Sequence, residues 1–596
     1  SQQAGENKRI LLLHWYLHFF KKNGATREQI RSLVQDGCME ELKRRLCSRM
    51  TFGTAGLRAA MGAGFSRVND LTVIQSTQYL TFYFLDMKCS IKMFFLFCFS
   101  FGRLARLTAA VMLCKDIPVY LFSTYVPTPF VPYAVKKLGA AAGVMITASH
   151  NRKEDNGYKV YWQNGAQISS PHDKEILRCI EGNAEPWAES WAEDLVESSP
   201  LKSDPLEDIC RWYMEELSTI CFHRDLNARS SLRFVHSSFH GVGHNYVQKA
   251  FQTFGFLPPI PVPEQMNPDP NFSTVSCPNP EEGEPVLELS LRLAEKEGAK
   301  IVLATDPDAD RLAVAEQCDE CGWKVFTGNE LAALLGWWML FNWKKMHPDS
   351  AETERVYMLA TTVSSKILKA LAQIEGFHFE ETLPGFKWIG NKIHELAKTG
   401  KEVIFSFEES IGFLCGSMVL DKDGVSAAAV VAEMAAYLHT KNVTLTQQLQ
   451  NIYEIYGYHI SRTSYVVCND PPTVERIFSR LRNFEGEGIY PKTCVGYTIA
   501  HIRDVTTGYD SSQPDKKCVL PVSKSSQMLT FTFQNGIVAT LRTSGTEPKI
   551  KYYTEFCAPP GKSDISMLEE ELMKVTLALV EEYLEPDKNN LIRRFV

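Results

Sequence analysis

The chain has 596 residues, 45% hydrophobic and 22% charged, with a net charge of −7. That balance fits a globular protein of about four domains and, with no basic block, excludes a nucleic-acid partner. The apolar run 93–99, flanked by Lys92 and Arg103, is too short to cross a bilayer, so no membrane partner is expected.

The chain opens with a charged amphipathic helix predicted over 27–46. A glycine-punctuated segment, Thr51-Phe52-Gly53-Thr54-Ala55-Gly56-Leu57-Arg58, follows. A strand at 117–122, a helix at 129–138 and a buried strand at 142–147 then alternate as in βαβ units. Residues 185–205, rich in Trp, Glu, Ser and Pro, read as a surface connection. A second α/β unit holds strands at 232–236 and 300–304 and helices at 244–254 and 284–296. A third has strands at 356–361 and 402–407 with a helix at 364–374 between them, and leaves through 447–457. The last mixes strands at 527–533, 536–542 and 550–556 with a helix at 566–583.

Sixteen cysteines lie without a framework spacing and no signal peptide is visible, so reduced thiols in a cytoplasmic protein are expected. Cys318-Asp319-Glu320-Cys321 has no second ligand pair nearby and reads as a hairpin loop.

Four segments carry chemistry. Thr147-Ala148-Ser149-His150-Asn151 puts a serine at the carboxyl end of a strand, where open α/β sheets place their sites; a Ser/Asn turn closing a strand has the same composition. Asp306-Pro307-Asp308-Ala309-Asp310-Arg311 puts three carboxylates at alternate positions after a strand. Such oxygens suit a hard divalent cation, Mg²⁺ or Ca²⁺, and repel one another without one. Arg542-Thr543-Ser544-Gly545-Thr546-Glu547-Pro548-Lys549 has the donors and the glycine of a phosphate cradle, or of a polar turn. Glu408-Glu409-Ser410 offers acceptors and a donor for sugar hydroxyls, and Thr382-Leu383-Pro384-Gly385-Phe386-Lys387-Trp388 adds a glycine, a cation and an aromatic ring. A site for a phosphorylated sugar, built from four units, is the sum of these parts.

In kind and in order the four segments resemble those of the α-D-phosphohexomutase superfamily. Asp155-Asn156-Gly157-Tyr158-Lys159, Gly385-Phe386-Lys387-Trp388-Ile389-Gly390 and residues 544–553 resemble its phosphoglucomutase-2 branch, which contains a phosphopentomutase and an enzyme that makes glucose 1,6-bisphosphate. Residues 151–155, 382–385 and 409–416 look more like the latter. The resemblance implies an α/β protein of four domains, three with mixed α/β sheets and a C-terminal α+β domain, around a central cleft. Their expected spans are 1–207, 208–325, 326–457 and 458–596, and a monomer is expected.

It also implies roles. Ser149 would carry a phosphoryl group, with Asp306, Asp308 and Asp310 holding Mg²⁺ and a phosphate oxygen on Ser149 completing the shell. Lys159 would be the general acid/base, and His150 and Arg311 would support the phosphoserine. Arg58, Thr382, Gly385, Lys387, Glu408 and Ser410 would bind the sugar substrate. Arg542, Ser544, Gly545, Thr546 and Lys551 would grip the non-reacting phosphate, lysine standing at 551 where the superfamily often has arginine. The implied partners are sugar phosphates and 1,3-bisphosphoglycerate: the latter phosphorylates Ser149, and glucose 1-phosphate accepts the group at its 6-hydroxyl. A mutase acting on ribose or glucose 1-phosphate would use the same chemistry, and a sugar-phosphate binder without turnover would share the motifs.

One stretch departs from the branch. Its members have a strand ending in a Tyr-Asp-x-Arg loop, whereas 79–102 lacks that loop and carries the apolar run 93–99. The run is expected to take the vacant sheet position with Lys92 and Arg103 at its solvent edges. With the arginine loop unreplaced, weaker phosphate handling near Ser149 is expected.

Overall fold

The structure, a computed structural model, describes residues 23–50, 56–86, 94–98, 102–182, 185–318, 322–524, 526–544, 548–562 and 564–594. The chain forms two compact units. The first takes the chain up to Thr327 together with Gly385–Gly400 and Ser410–Asn442; the second takes Gly328–Pro384, Lys401–Glu409 and the chain from Val443 onward.

In the first unit the expected single helix over 27–46 is two, Gly24–Gln35 and Met39–Leu46, broken where Gly37 takes φ +67°. The first sheet runs Leu57–Ala60, Asp155–Trp162, Ala142–Ile146, Phe94–Cys98, Val119–Leu121, Lys202–Ser203. The last four strands are parallel and Asp155–Trp162 is antiparallel to its neighbours. Phe94–Cys98 thus takes the interior position expected for the apolar run, hydrogen-bonded on both edges; Lys92, Met93 and Phe99 lie outside the described residues. Arg103 does not flank the strand. It lies in the first turn of the helix Gly102–Leu113 and pairs with Asp70 and Glu193.

Residues 185–205 are more than a surface connection. They form a 3₁₀ turn, Ala188–Trp191, and a helix, Asp194–Ser198, before the edge strand Lys202–Ser203. Ser190 and Val196 are fully buried, and Trp187 and Trp191 pack on Ile74, Leu107 and Val111. Two tryptophans supply enough apolar area to hold so polar a segment down.

The second sheet of this unit runs Gly322–Val325, Leu312–Cys318, Ile301–Thr305, Phe234–Ser237, Ile260–Pro261. Cys318 pairs with Gly322 across an antiparallel hairpin, as the lone CxxC suggests; residues 319–321 lie outside the described residues. The cysteines whose side chains are described are free thiols. The helix Gly424–His439 is apolar almost throughout, and its one carboxylate, Glu433, is satisfied by Phe222 N–H, His223 N–H and Asn227 Nδ2. The Asp423 N-cap fixes where the helix begins, accepting from Val425 N–H and Ser426 N–H.

In the second unit His378–Thr382, Val356–Thr361 and Glu402–Glu408 are parallel strands. The strand His378–Thr382 has no signal in the sequence reading, because its Glu380 and Glu381 mask the apolar pattern. In the first unit the helix Phe386–Lys398, to which the sequence reading assigns no element, starts directly after Gly385 at φ +108°. The C-terminal sheet is antiparallel, in the order Tyr497–Asp504, Met528–Phe533, Ile537–Thr543, Lys549–Cys557, His459–Val467, with short strands at its ends. The helices Pro471–Arg482 and Ile565–Leu579 contribute Ile477, Phe478, Leu568 and Leu572 to the apolar core of this α+β part. Among the described residues no helix is long and apolar enough to cross a membrane.

Candidate active site

The strand Ala142–Ile146 is buried along its length and delivers Thr147 to the sheet's carboxyl edge. Asp155–Trp162 returns beside it, and only glycine fits at 157, where a Cβ would lie 2.5 Å from the Thr147 carbonyl oxygen. Between them Ser149 is 3% exposed and held at φ +56°, a left-handed conformation uncommon for serine. Its N–H donates to Thr147 Oγ1 (2.8 Å), and its Oγ lies 2.9 Å from Asp306 Oδ2 and 3.2 Å from His150 Nδ1. Burial, with Arg311 and Arg58 nearby, pushes the His150 imidazole well below its ordinary range, so the ring is neutral. Arg58, opposite Gly157 in the adjoining strand, donates from Nη1 to Asn151 Oδ1 (2.9 Å); its buried Nε has no hydrogen-bond partner among the described residues. A buried, unsatisfied guanidinium N–H suits an anionic ligand.

The strand Ile301–Thr305 delivers the acidic loop. Asp306, Asp308 and Asp310 are fully buried, and one oxygen from each lies within 4.8 Å of the others. Two glycines let neighbouring backbone close on this loop. A Cβ at Gly241 would lie 2.2 Å from the Pro307 carbonyl oxygen, and one at Gly424 would lie 2.4 Å from that of Arg311. Lys159 Nζ lies 3.0 Å from Asp308 Oδ2 and 3.1 Å from Asp310 Oδ2, and Lys422 Nζ 3.4 Å from Asp310 Oδ2. Burial raises the Asp310 carboxyl, but Lys159, Lys422 and Arg311 outweigh it and hold it low; Asp306, buried beside two carboxylates, is pushed well up. Asp308 Oδ1 and Asp310 Oδ1 are buried and have no hydrogen-bond partner among the described residues. Orphaned carboxylate oxygens in an all-oxygen set fit a divalent metal such as Mg²⁺.

The structure gathers Ser149, His150, Lys159, Arg58, the three aspartates and Arg311 in the first unit. Arg311 also donates from Nη1 to the Ser410 carbonyl (3.1 Å), bringing Ser410 in. Lys387 points elsewhere: its Nζ lies 3.7 Å from Asp173 Oδ2. In the second unit Thr382 ends its strand, where its carbonyl accepts from Thr362 N–H (2.8 Å), and Glu408 ends the strand on the far side of Val356–Thr361. Arg542 and Lys551 face each other across adjacent strands, and Ser544 N–H bonds the Lys549 carbonyl (2.9 Å); Gly545 and Thr546 lie outside the described residues.

Two site residues escaped the sequence reading. Thr128 donates to Asp308 Oδ2 (2.7 Å) from a Pro-Thr-Pro turn that carries no chemical signal of its own. Lys422 stands in Asp421-Lys422-Asp423-Gly424, whose capping Asp and glycine before an apolar helix mark it in retrospect.

The sequence matches the phosphoglucomutase/phosphomannomutase family descriptions for α/β/α domain I over residues 49–187, domain II over 211–320 and domain III over 327–456. It is 68% identical over 596 residues to the glucose 1,6-bisphosphate synthase of Homo sapiens, covering 96% of this chain and 94% of that protein. It is 56% identical over 584 residues to the Homo sapiens phosphopentomutase, covering 96% and 95%. Its fold is similar to that of parafusin, a phosphoglucomutase from Paramecium, in the open form: TM-score 0.64, 18% identity, 90% of this chain and 96% of that one. Domain for domain and along nearly its whole length, then, this chain belongs to the phosphoglucomutase/phosphomannomutase family within the α-D-phosphohexomutase superfamily, as its motifs imply.

Proposed function

We propose that this protein is a phosphotransferase that makes glucose 1,6-bisphosphate from glucose 1-phosphate, with 1,3-bisphosphoglycerate as donor, and has weaker phosphoglucomutase activity. The observation that carries it is the 68% full-length identity to a glucose 1,6-bisphosphate synthase, against 56% to a phosphopentomutase. The reaction runs through Ser149, whose hydroxyl lies 2.9 Å from an acidic triad.

Ser149 Oγ attacks the acyl phosphate; the Oγ–P bond forms as the bond to the carboxyl oxygen breaks, and 3-phosphoglycerate leaves as its carboxylate. The neutral His150 ring accepts the serine proton at Nδ1. The 6-hydroxyl of glucose 1-phosphate then attacks the phosphoserine: the 6-O–P bond forms as the Oγ–P bond breaks, Lys159 as general base takes the hydroxyl proton and passes it to solvent, and Ser149 Oγ takes back the proton held by His150. Asp306, Asp308 and Asp310 would hold Mg²⁺, which neutralises charge on the transferring group. Arg311, with His150, supports the phosphoserine, and Arg58 binds the substrate. Thr382, Gly385, Glu408 and Ser410 orient the sugar, and Arg542, Ser544, Gly545, Thr546 and Lys551 take the second phosphate. The protein works as a four-domain cytoplasmic monomer.

The test is incubation of the protein with Mg²⁺, 1,3-bisphosphoglycerate and glucose 1-phosphate. Glucose 1,6-bisphosphate above a no-enzyme control is expected, and none would overturn the proposal. Faster turnover of ribose 1-phosphate than of glucose 1-phosphate, each primed with its bisphosphate, would reassign the protein as a pentomutase.

A further inference from the structure

Arg503 lies in the strand Tyr497–Asp504, outside every segment assigned a role above. Its register partners run Thr530, Thr540 and Tyr553 across three strands. Directly paired residues share a sheet face, as do residues two apart in one strand, so Arg503 stands on the same face as Arg542 and Lys551. Its guanidinium leaves that face for another element. Nη1 lies 2.8 Å from Glu381 Oε2, and Nη2 bonds Thr362 Oγ1. Both partners belong to the sugar-binding end of the parallel strands: Glu381 precedes Thr382 in its strand, and Thr362 N–H bonds the Thr382 carbonyl (2.8 Å).

The turn 362–366 that Arg503 reaches is tied to the sheet face at more than one point. Between that turn and the face lies a cleft lined mostly by hydroxyls, those of Thr362, Ser364, Thr463 and Thr540, with Val363 and Val538 among them. Lys366 Nζ holds the other Glu381 oxygen (2.7 Å), and Lys366 N–H bonds Glu555 Oε2 (2.8 Å), a second tie from loop to sheet. Arg503 Nε is buried and has no hydrogen-bond partner among the described residues, so the side chain is held by its two terminal nitrogens alone, a fork a lysine cannot copy.

We propose that Arg503 is a positioning residue: through Glu381 and Thr362 it sets the Thr382 loop against the strand face that carries Arg542 and Lys551, so that a sugar phosphate meets its hydroxyl and phosphate ligands at the right spacing. This rests on the functional reading above. It assigns to the proposed chemistry a residue that touches no reacting atom.

The test compares wild type, Arg503→Met, Arg503→Lys, Glu381→Gln and the double variant Arg503→Met/Glu381→Gln. It measures calorimetric binding of glucose 1-phosphate beside steady-state kinetics. Arg503→Met and Glu381→Gln are each expected to weaken binding and raise KM about tenfold with kcat changed less than about threefold. The double variant is expected to be no worse than the poorer single one, because both act through one pair. Arg503→Lys should recover only part of the loss. Unchanged binding in Arg503→Met, multiplying effects in the double variant, or a lowered melting temperature with unchanged KM would each overturn the proposal. Should wild type bind glucose 1-phosphate yet make no bisphosphate, the functional reading fails while the binding comparison still decides the role of Arg503. Should it not bind, both fall.

Discussion

Ser149 sits in backbone space that costs an L-residue about 1–2 kcal/mol, and its side chain is aimed at Asp306 rather than at solvent. A position strained for the sake of one oxygen makes that oxygen the thing to remove. Ser149→Ala is expected to abolish phosphoryl transfer, a loss of at least about a thousandfold, while the melting temperature moves by no more than a few degrees. Mass analysis after exposure to donor should find no phosphorylated protein; turnover at the wild-type rate would refute the covalent route. Asp308 is bound on one oxygen by Thr128 and Lys159 and bare on the other. Asp308→Asn keeps the first contact to Thr128 but removes an anionic ligand, so the Mg²⁺ needed for half-maximal activity should rise about tenfold or more. An unchanged Mg²⁺ dependence would make the loop structural. Both residues are legible in sequence because Ser149 and the aspartates each follow an apolar strand directly. Thr128 and Lys422 are not, because they reach Asp308 and Asp310 only through the fold.

The strand Phe94–Cys98 is paired in parallel ladders on both its edges. An interior strand has no spare edge for a residue without an N–H. Leu96→Pro should therefore cost about 3 kcal/mol or more, read as a lower urea midpoint, whereas a proline in the two-residue edge strand Lys202–Ser203 should cost much less. Equal midpoints would place the run outside the sheet. The strand was readable from its apolar run, as were Ala142–Ile146 and Ile301–Thr305. His378–Thr382 was not, since a strand carrying two glutamates shows its logic only once Lys366 and Arg503 are seen across from Glu381. The packing of Trp187 and Trp191 was hidden for the same reason: tertiary contacts decide it, not local pattern.

For the molecule as a whole, buried ion pairs of this kind set its tolerance of acid. Burial raises the Glu381 carboxyl, but Lys366 and Arg503 outweigh it and hold it at about 2 against an ordinary 4.5. A carboxyl depressed in the folded state stabilises fully above its unfolded value and loses that stabilisation as pH falls through the folded one. The pair should therefore contribute on the order of 3 kcal/mol at neutral pH, fading between about pH 5 and pH 2. Urea unfolding across that range should show a steeper fall for wild type than for Glu381→Gln, and parallel curves would refute the assignment. The glycine clamps on the acidic loop bear on something else, the order of events during synthesis. The loop is complete at Asp310, and Gly241 precedes it, but its second clamp, Gly424, and its second lysine, Lys422, leave the ribosome only after the chain has passed through Gly328–Pro384 and Lys401–Glu409, which belong to the other unit. At usual elongation rates that interval lasts on the order of ten seconds. Throughout it the nascent acidic loop has one lysine in place of two and an unclosed backbone flank, so the metal-binding centre is finished late, and by chain that has first had to start building its neighbour.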